Sequence, residues 1–149
     1  MKRFLLVAAM LVSIPGLAMA HGVALKSDEI IAARQGGMAL AGGNSDAMKA
    51  AVQSGAEVKP FADGAAAMVK WGNAFPALFA AGTESGHDTK AKSEVWSDRA
   101  GFQKAAANLV AAAEKLGDAA KSGDKAAFAA AFTATGQACG ACHRTYKNR

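Results

Sequence analysis

The stretch FAAAFTATGQACGACHRTY, residues 128–146, decides how the chain folds. Within it Phe128, Phe132, Thr135, Cys139, Cys142 and Tyr146 follow one another at steps of four, three, four, three and four. Side chains three and four apart share one face of an α-helix, so all six fall on a single stripe. A helix with such a stripe buries it against neighbours, and the two cysteines therefore face a core. Gly123 and Asp124, just upstream, supply a helix stop and the N-cap of this last helix.

The same pattern recurs toward the N-terminus. After the N-cap signal Ser97-Asp98, residues Phe102, Ala106, Leu109, Ala113, Leu116 and Ala120 keep a heptad-like seam. Before it, Pro60 suits a first-turn position, Phe61, Ala65, Met68, Gly72, Phe75 and Phe79 step by four or three, and Pro76 is expected to end the helix. A first helix is expected from Ser27, as N-cap, through Ile31, Met38, Met48 and Val52 to Ser54-Gly55. Asp28 and Glu29 suit its first turn, where the helix dipole favours negative charge. Gly36, Gly37, Gly42 and Gly43 weigh against it at about 1 kcal/mol each relative to Ala, unless they permit close backbone approach. Residues 80–95 lose the pattern in Gly82, Thr83, Ser85 and Gly86, and are expected to form a surface loop long enough to be a crossover.

These seams predict an all-α fold, an antiparallel four-helix bundle whose core includes Phe61, Met68, Phe75, Phe102, Leu109, Leu116, Phe128 and Phe132. The 149 residues allow one core, and a hydrophobic share of 52% excludes a disordered chain. No run reaches the 18 or so apolar residues of a membrane span. Residues 1–20 stand apart: Lys2 and Arg3 precede an apolar stretch from Phe4 to Leu17 that ends in Ala18-Met19-Ala20, the pattern of a cleaved secretory signal peptide. The mature domain, 21–149, would begin at His21 in an exported protein. Loss of Lys2 and Arg3 takes the formal charge from +5 to +3, a surplus of separated lysines with no stripe suited to nucleic acid.

Cys139-Gly140-Ala141-Cys142-His143 carries the chemistry, because Cys-x-x-Cys-His is the attachment sequence of c-type haem. Two thiols about one helical turn apart reach the two vinyl groups, and the adjacent histidine offers an imidazole nitrogen to the iron. A thioredoxin-type dithiol would instead follow a strand and open a helix. A structural zinc site would need two more ligands, and the other histidines are only His21 and His87. A plain disulfide would leave His143 unexplained. With haem held by Cys139 and Cys142 and His143 on the metal, the far side of the iron falls to helix one. There Met38 is a sixth ligand, a steric plug or an ordinary core methionine. Arg34, one turn earlier, and Gln35 are placed to meet the haem propionates, the alternative being a simply exposed arginine. His87, in a polar loop, is expected to be solvated.

In sum these residues resemble the cytochromes c′. Arg34-Gln35 with Met38 is similar to that family's first-helix signature. Phe75-Pro76-Ala77-Leu78-Phe79 with Gly82-Thr83 is similar to its second-helix end. Thr89-Lys90-Ala91 with Glu94-Val95-Trp96-Ser97-Asp98 is similar to its approach to helix three, and the haem motif followed by Tyr146 completes the order. The resemblance implies a periplasmic four-helix bundle, often a homodimer through helices one and two, with one covalent haem c. It implies five-coordinate, high-spin iron with His143 as the only protein ligand, binding of nitric oxide and carbon monoxide, and a proposed role in electron transfer. By the same resemblance Met38 shields the open face without ligating, and Arg34 and Gln35 contact a propionate. Many members carry an arginine after the aromatic that follows the motif, whereas this chain has Lys147, which lacks the planar fork. Two functions are expected to compete: a gas-binding haem protein, and a low-spin electron carrier in which Met38 ligates iron and the periplasmic redox partner is unidentified. A peroxidase-like enzyme would want a histidine or carboxylate on the helix-one stripe; none stands there, so no enzymatic activity is expected.

Overall fold

The computed structural model describes residues 25–149; the expected signal peptide and His21 lie outside the described residues. Four long helices, α1 Ser27–Ser54, α2 Ala62–Ala74, α4 Arg99–Ser122 and α5 Lys125–Tyr146, form the bundle, and a one-turn helix α3, Glu94–Ser97, precedes α4. None of the described helices is long and apolar enough to cross a membrane.

The helix ends follow local chemistry. Lys26, not Ser27, is the N-cap of α1, and its backbone N–H donates to the Glu29 carboxylate at 2.8 Å. α1 runs through its four glycines without a break. At Gly37 the reason is close approach, since a Cβ there would collide with the Trp71 indole; at Gly36, Gly42 and Gly43 a Cβ would meet open space. Pro60 sits in a 3₁₀ turn, Lys59–Phe61, that leads into α2. Past Ala74 the chain tightens into a second 3₁₀ turn, Phe75–Leu78, because Pro76 has no N–H for the Gly72 carbonyl and its ring crowds that oxygen. The Asp98 carboxylate caps α4 by accepting from Gly101 N at 3.1 Å. Gly123, at φ 77°, ends α4, and Asp124 caps α5 by accepting from Ala127 N at 2.9 Å. The last two helices are thus an antiparallel hairpin closed by two residues.

Residues 80–95 run mostly exposed over the surface, as expected, but they are anchored to the bundle at several points. Thr83 and Val95 are each 1% exposed. Ala91 makes an isolated antiparallel bridge with Lys147, supported by Lys92 N–H donating to Tyr146 O at 3.0 Å and Asn148 N–H to Lys90 O at 2.7 Å. The crossover is latched to the C-terminal tail, which makes it a wall of the bundle rather than an excursion from it.

The core has two tiers. The lower, near the α4–α5 turn, gathers Met48, Val58, Ala65, Met68, Leu116 and Phe128. The upper gathers Phe75, Val95, Phe102, Ala106 and Tyr146, with Met38, Trp71, Phe79, Leu109 and Cys142 half-buried against it. Its rings pack edge to face, Phe79 on Phe102 at 4.9 Å and Phe102 on Tyr146 at 5.2 Å between centroids. The expected core positions are all buried or half-buried.

Candidate functional site

The inward stripe of α5 brings Cys139 and Cys142 half-buried onto the bundle interior, both as free thiols, with His143 following at the more exposed edge. Two clefts open beside them. One, of about 250 Å³, runs between α1, the crossover and the end of α5; the other, of about 170 Å³, runs down between α1, α2, α4 and α5. They share Met38, Phe75, Cys142 and His143, so they are two lobes of one trough, and Cys139 lines the deeper lobe. Met38 is therefore set on α1 where the lobes meet, across from α5.

The trough is walled by Phe75, Phe79, Val95, Phe102, Trp71 and Leu109, and its only titratable side chains besides the haem-motif residues are Arg34, Lys90, Tyr146 and Lys147. Burial pushes both thiols up from the ordinary cysteine range, and at Cys142 the neighbouring Cys139 charge adds to this, so neither has the stabilised thiolate of a redox dithiol. Burial, and then the Lys147 charge, push His143 down, which keeps its imidazole neutral and able to ligate a metal. The Trp71 indole N–H is buried in the wall without an acceptor. A large flat apolar group with its own acceptor atoms fits this set: a thiol pair one turn apart, a neutral imidazole, apolar walls and one uncommitted donor.

Arg34 is buried, only 3% exposed, which rules out the exposed alternative. One terminal nitrogen donates to Thr83 Oγ1 at 2.8 Å and Leu78 O at 3.2 Å, the other to Thr83 O at 2.8 Å and Thr89 Oγ1 at 2.7 Å. Its guanidinium carbon also lies 4.4 Å from the Phe79 ring centroid. Burial lowers its pKa and Glu84 partly offsets this, yet arginine stays charged, so the four bonds compensate a desolvated cation. Gln35 adds a bond from Nε2 to His87 O at 3.1 Å. Both residues line the trough, and they also clamp the crossover to α1, a role their sequence neighbourhood did not announce. His87 is exposed, with φ 47°. Tyr146 OH donates to Asp98 Oδ2 at 2.7 Å, joining the end of α5 to the cap of α4. Sequence reasoning passed over Trp71, Thr83 and Thr89 as functional groups. The pairing of Thr83 and Thr89 with an arginine some fifty residues away leaves no local periodic signal.

A four-helix bundle that turns a Cys-x-x-Cys-His motif into an apolar trough defines a c-type haem protein. The family profile of cytochrome c′ matches residues 29–147, and the chain belongs to that family, whose cofactor is covalently bound haem c. A 71-residue stretch is 49% identical to cytochrome c′ of Rubrivivax gelatinosus, 48% of this chain and 55% of that protein. The chain thus spans little more than half the length of that curated relative in the match. The crystal structure of the Rubrivivax gelatinosus protein superposes with a TM-score of 0.75 at 37% identity, over 83% of this chain and 98% of that one. A ferrous arginine-to-lysine variant of cytochrome c′ from Alcaligenes xylosoxidans with bound nitric oxide superposes at 0.76 and 28% identity, over 85% and 98%. A cytochrome c′ described by its ligand-controlled dimer dissociation superposes at 0.79 and 28%, over 85% and 99%.

Proposed function

We propose that this chain is a periplasmic haem protein that binds nitric oxide and carbon monoxide at five-coordinate, high-spin iron, without catalytic turnover. Cys139 and Cys142 would hold the haem as thioethers and His143 would ligate its iron. Bound haem supplies an iron with one position left for a small ligand. The chain does the rest: Phe75, Phe79 and Phe102 exclude water, Met38 narrows the space opposite α5, and Arg34 and Gln35 hold the wall on the side where they would meet the propionates. The observation that carries this reading is the trough lining. Apart from His143 it presents no imidazole or carboxylate, hence no second histidine for the iron and no acid–base pair for peroxide chemistry. The nitric oxide complex of the Alcaligenes xylosoxidans relative supports it.

Met38 sustains the second reading, an electron carrier in which its thioether ligates iron. The absorption spectrum of the purified protein, ferric and ferrous, before and after carbon monoxide, separates the two. A high-spin spectrum that shifts with the gas is expected. A low-spin spectrum indifferent to it, converted to high spin by Met38→Ala, would overturn gas binding in favour of electron transfer. A homodimer is part of the proposal: Leu40 is 78% exposed beside a groove of about 350 Å³ between α1 and α2, and a relative's dimer responds to ligand. Sedimentation of the wild type against Leu40→Arg reads that contact, and N-terminal sequencing of the exported protein reads cleavage before His21.

A further inference from the structure

Three lysines and two arginines that stand apart in the sequence are brought together by the fold. The bridge between Ala91 and Lys147 sets Lys90 and Lys92 of the crossover beside Arg144, Lys147 and Arg149 of the C-terminal tail. Four of these five cations line a hollow of about 550 Å³ whose remaining walls are Gly140, His143 and Asn148, with no aspartate or glutamate among its lining residues. Lys92 is fixed there by donating from Nζ to Arg144 O at 3.1 Å. Of the acids near in sequence, Asp88 is exposed and does not line the hollow, Glu94 accepts from Ser93 Oγ, and Asp98 holds Gly101 N and Tyr146 OH. Both ion pairs among the described residues, Lys121–Asp118 and Lys125–Glu57, stand at the other end of α5, roughly 30 Å away.

We propose that this cationic hollow is the docking surface for the acidic face of a redox protein that exchanges electrons with the haem. His143 and Lys147 line both the hollow and the trough, so a partner seated there lies against the residue proposed to hold the iron. Clustered like charges that lack counter-ions focus a field outward, raise the encounter rate of an anionic partner and orient it. The placement gives electrons an entry separate from Met38 on α1, where a gas would bind. This inference rests on the haem reading, and the visible spectrum of each sample reports haem independently of docking.

The test compares oxidation of the ferrous holoprotein by hexacyanoferrate(III), an anion, and by tris(phenanthroline)cobalt(III), a cation, across ionic strength. Lys92→Glu/Arg149→Glu changes two cations that line the hollow and not the trough; Lys59→Glu/Lys121→Glu makes the same change of net charge at the far end. At low salt the first variant is expected to slow the anionic oxidant about tenfold and the control less than about twofold, with the difference lost near 1 M salt, where screening acts within about 3 Å. A neutral Lys92→Gln/Arg149→Gln protein is expected to fall between, which guards against a folding defect. As a readout without electron transfer, nuclear magnetic resonance shifts on adding poly-glutamate are expected at residues 90–92 and 144–149. Equal slowing of both charge-reversed variants, or shifts spread over the whole surface, would overturn the proposal. So would binding to phosphatidylglycerol vesicles without binding to poly-glutamate, which would assign the patch to a membrane surface.

Discussion

Arg34 concentrates more of the architecture than any other single side chain. It satisfies four acceptors contributed by Leu78, Thr83 and Thr89, all on the crossover side of the trough. Arg34→Ala leaves those groups unpaired in a buried place and is expected to cost about 3 kcal/mol, read as a lower denaturant midpoint, with faster amide exchange in residues 80–93. Tyr146 offers a second test. Its hydrogen bond to Asp98, then burial, push its pKa up to about 12, so the neutral phenol is the form the fold prefers. The stabilisation is present below the unfolded tyrosine value near 10 and is lost as pH rises through about 12. Tyr146 is the sole tyrosine, so one ¹³C-labelled ring carbon reads the titration, and Asp98→Asn is expected to move it toward 10. Cys139, Cys142 and His143 were legible because their spacing is itself the chemistry. The two faces of Arg34 were not, since its threonine partners are brought in by the tertiary fold.

At the level of elements, turn and cap residues were the readable part. Pro76, Asp98, Gly123 and Asp124 act within four residues of themselves, and each ends or begins a helix where its chemistry demands. The glycines of α1 were ambiguous for the opposite reason: composition cannot tell a glycine pressed by a neighbour from one facing solvent. The structure separates them, and mutation is expected to do the same. Gly37→Ala drives a methyl into the rigid Trp71 ring and is expected to destabilise by about 1–3 kcal/mol. Gly43→Ala, in open space in the same helix, is expected to stabilise by about 0.5–1 kcal/mol. Thermal melts of the two variants should therefore move in opposite directions; a shared direction would mean that α1 is not packed through Gly37.

For the molecule as a whole, the two tiers of core predict unequal stability. The lower tier is closed by aliphatic and aromatic packing alone, whereas the upper surrounds the trough. Replacing both cysteines by serine, which removes the covalent cofactor, is expected to leave amide protection around Leu116 and Phe128 nearly intact and to lower it around Phe75 and Phe102. The bundle itself was visible in four apolar seams. The crossover's part in it was not, because Thr83 and Val95 are buried by groups that no helical period connects to them.

The two-residue link between α4 and α5 bears also on how the protein comes to be assembled. Helices joined so closely meet in microseconds, since little chain must be ordered to bring them together. The Arg34 clamp, by contrast, spans 49 residues to Thr83 and closes only after α1 and the crossover have both arrived. On that order of events the cysteines are presented on a formed hairpin while the opposite wall is still absent. The time in which a bulky planar group can be admitted from the side is then set by the slowest loop in the chain.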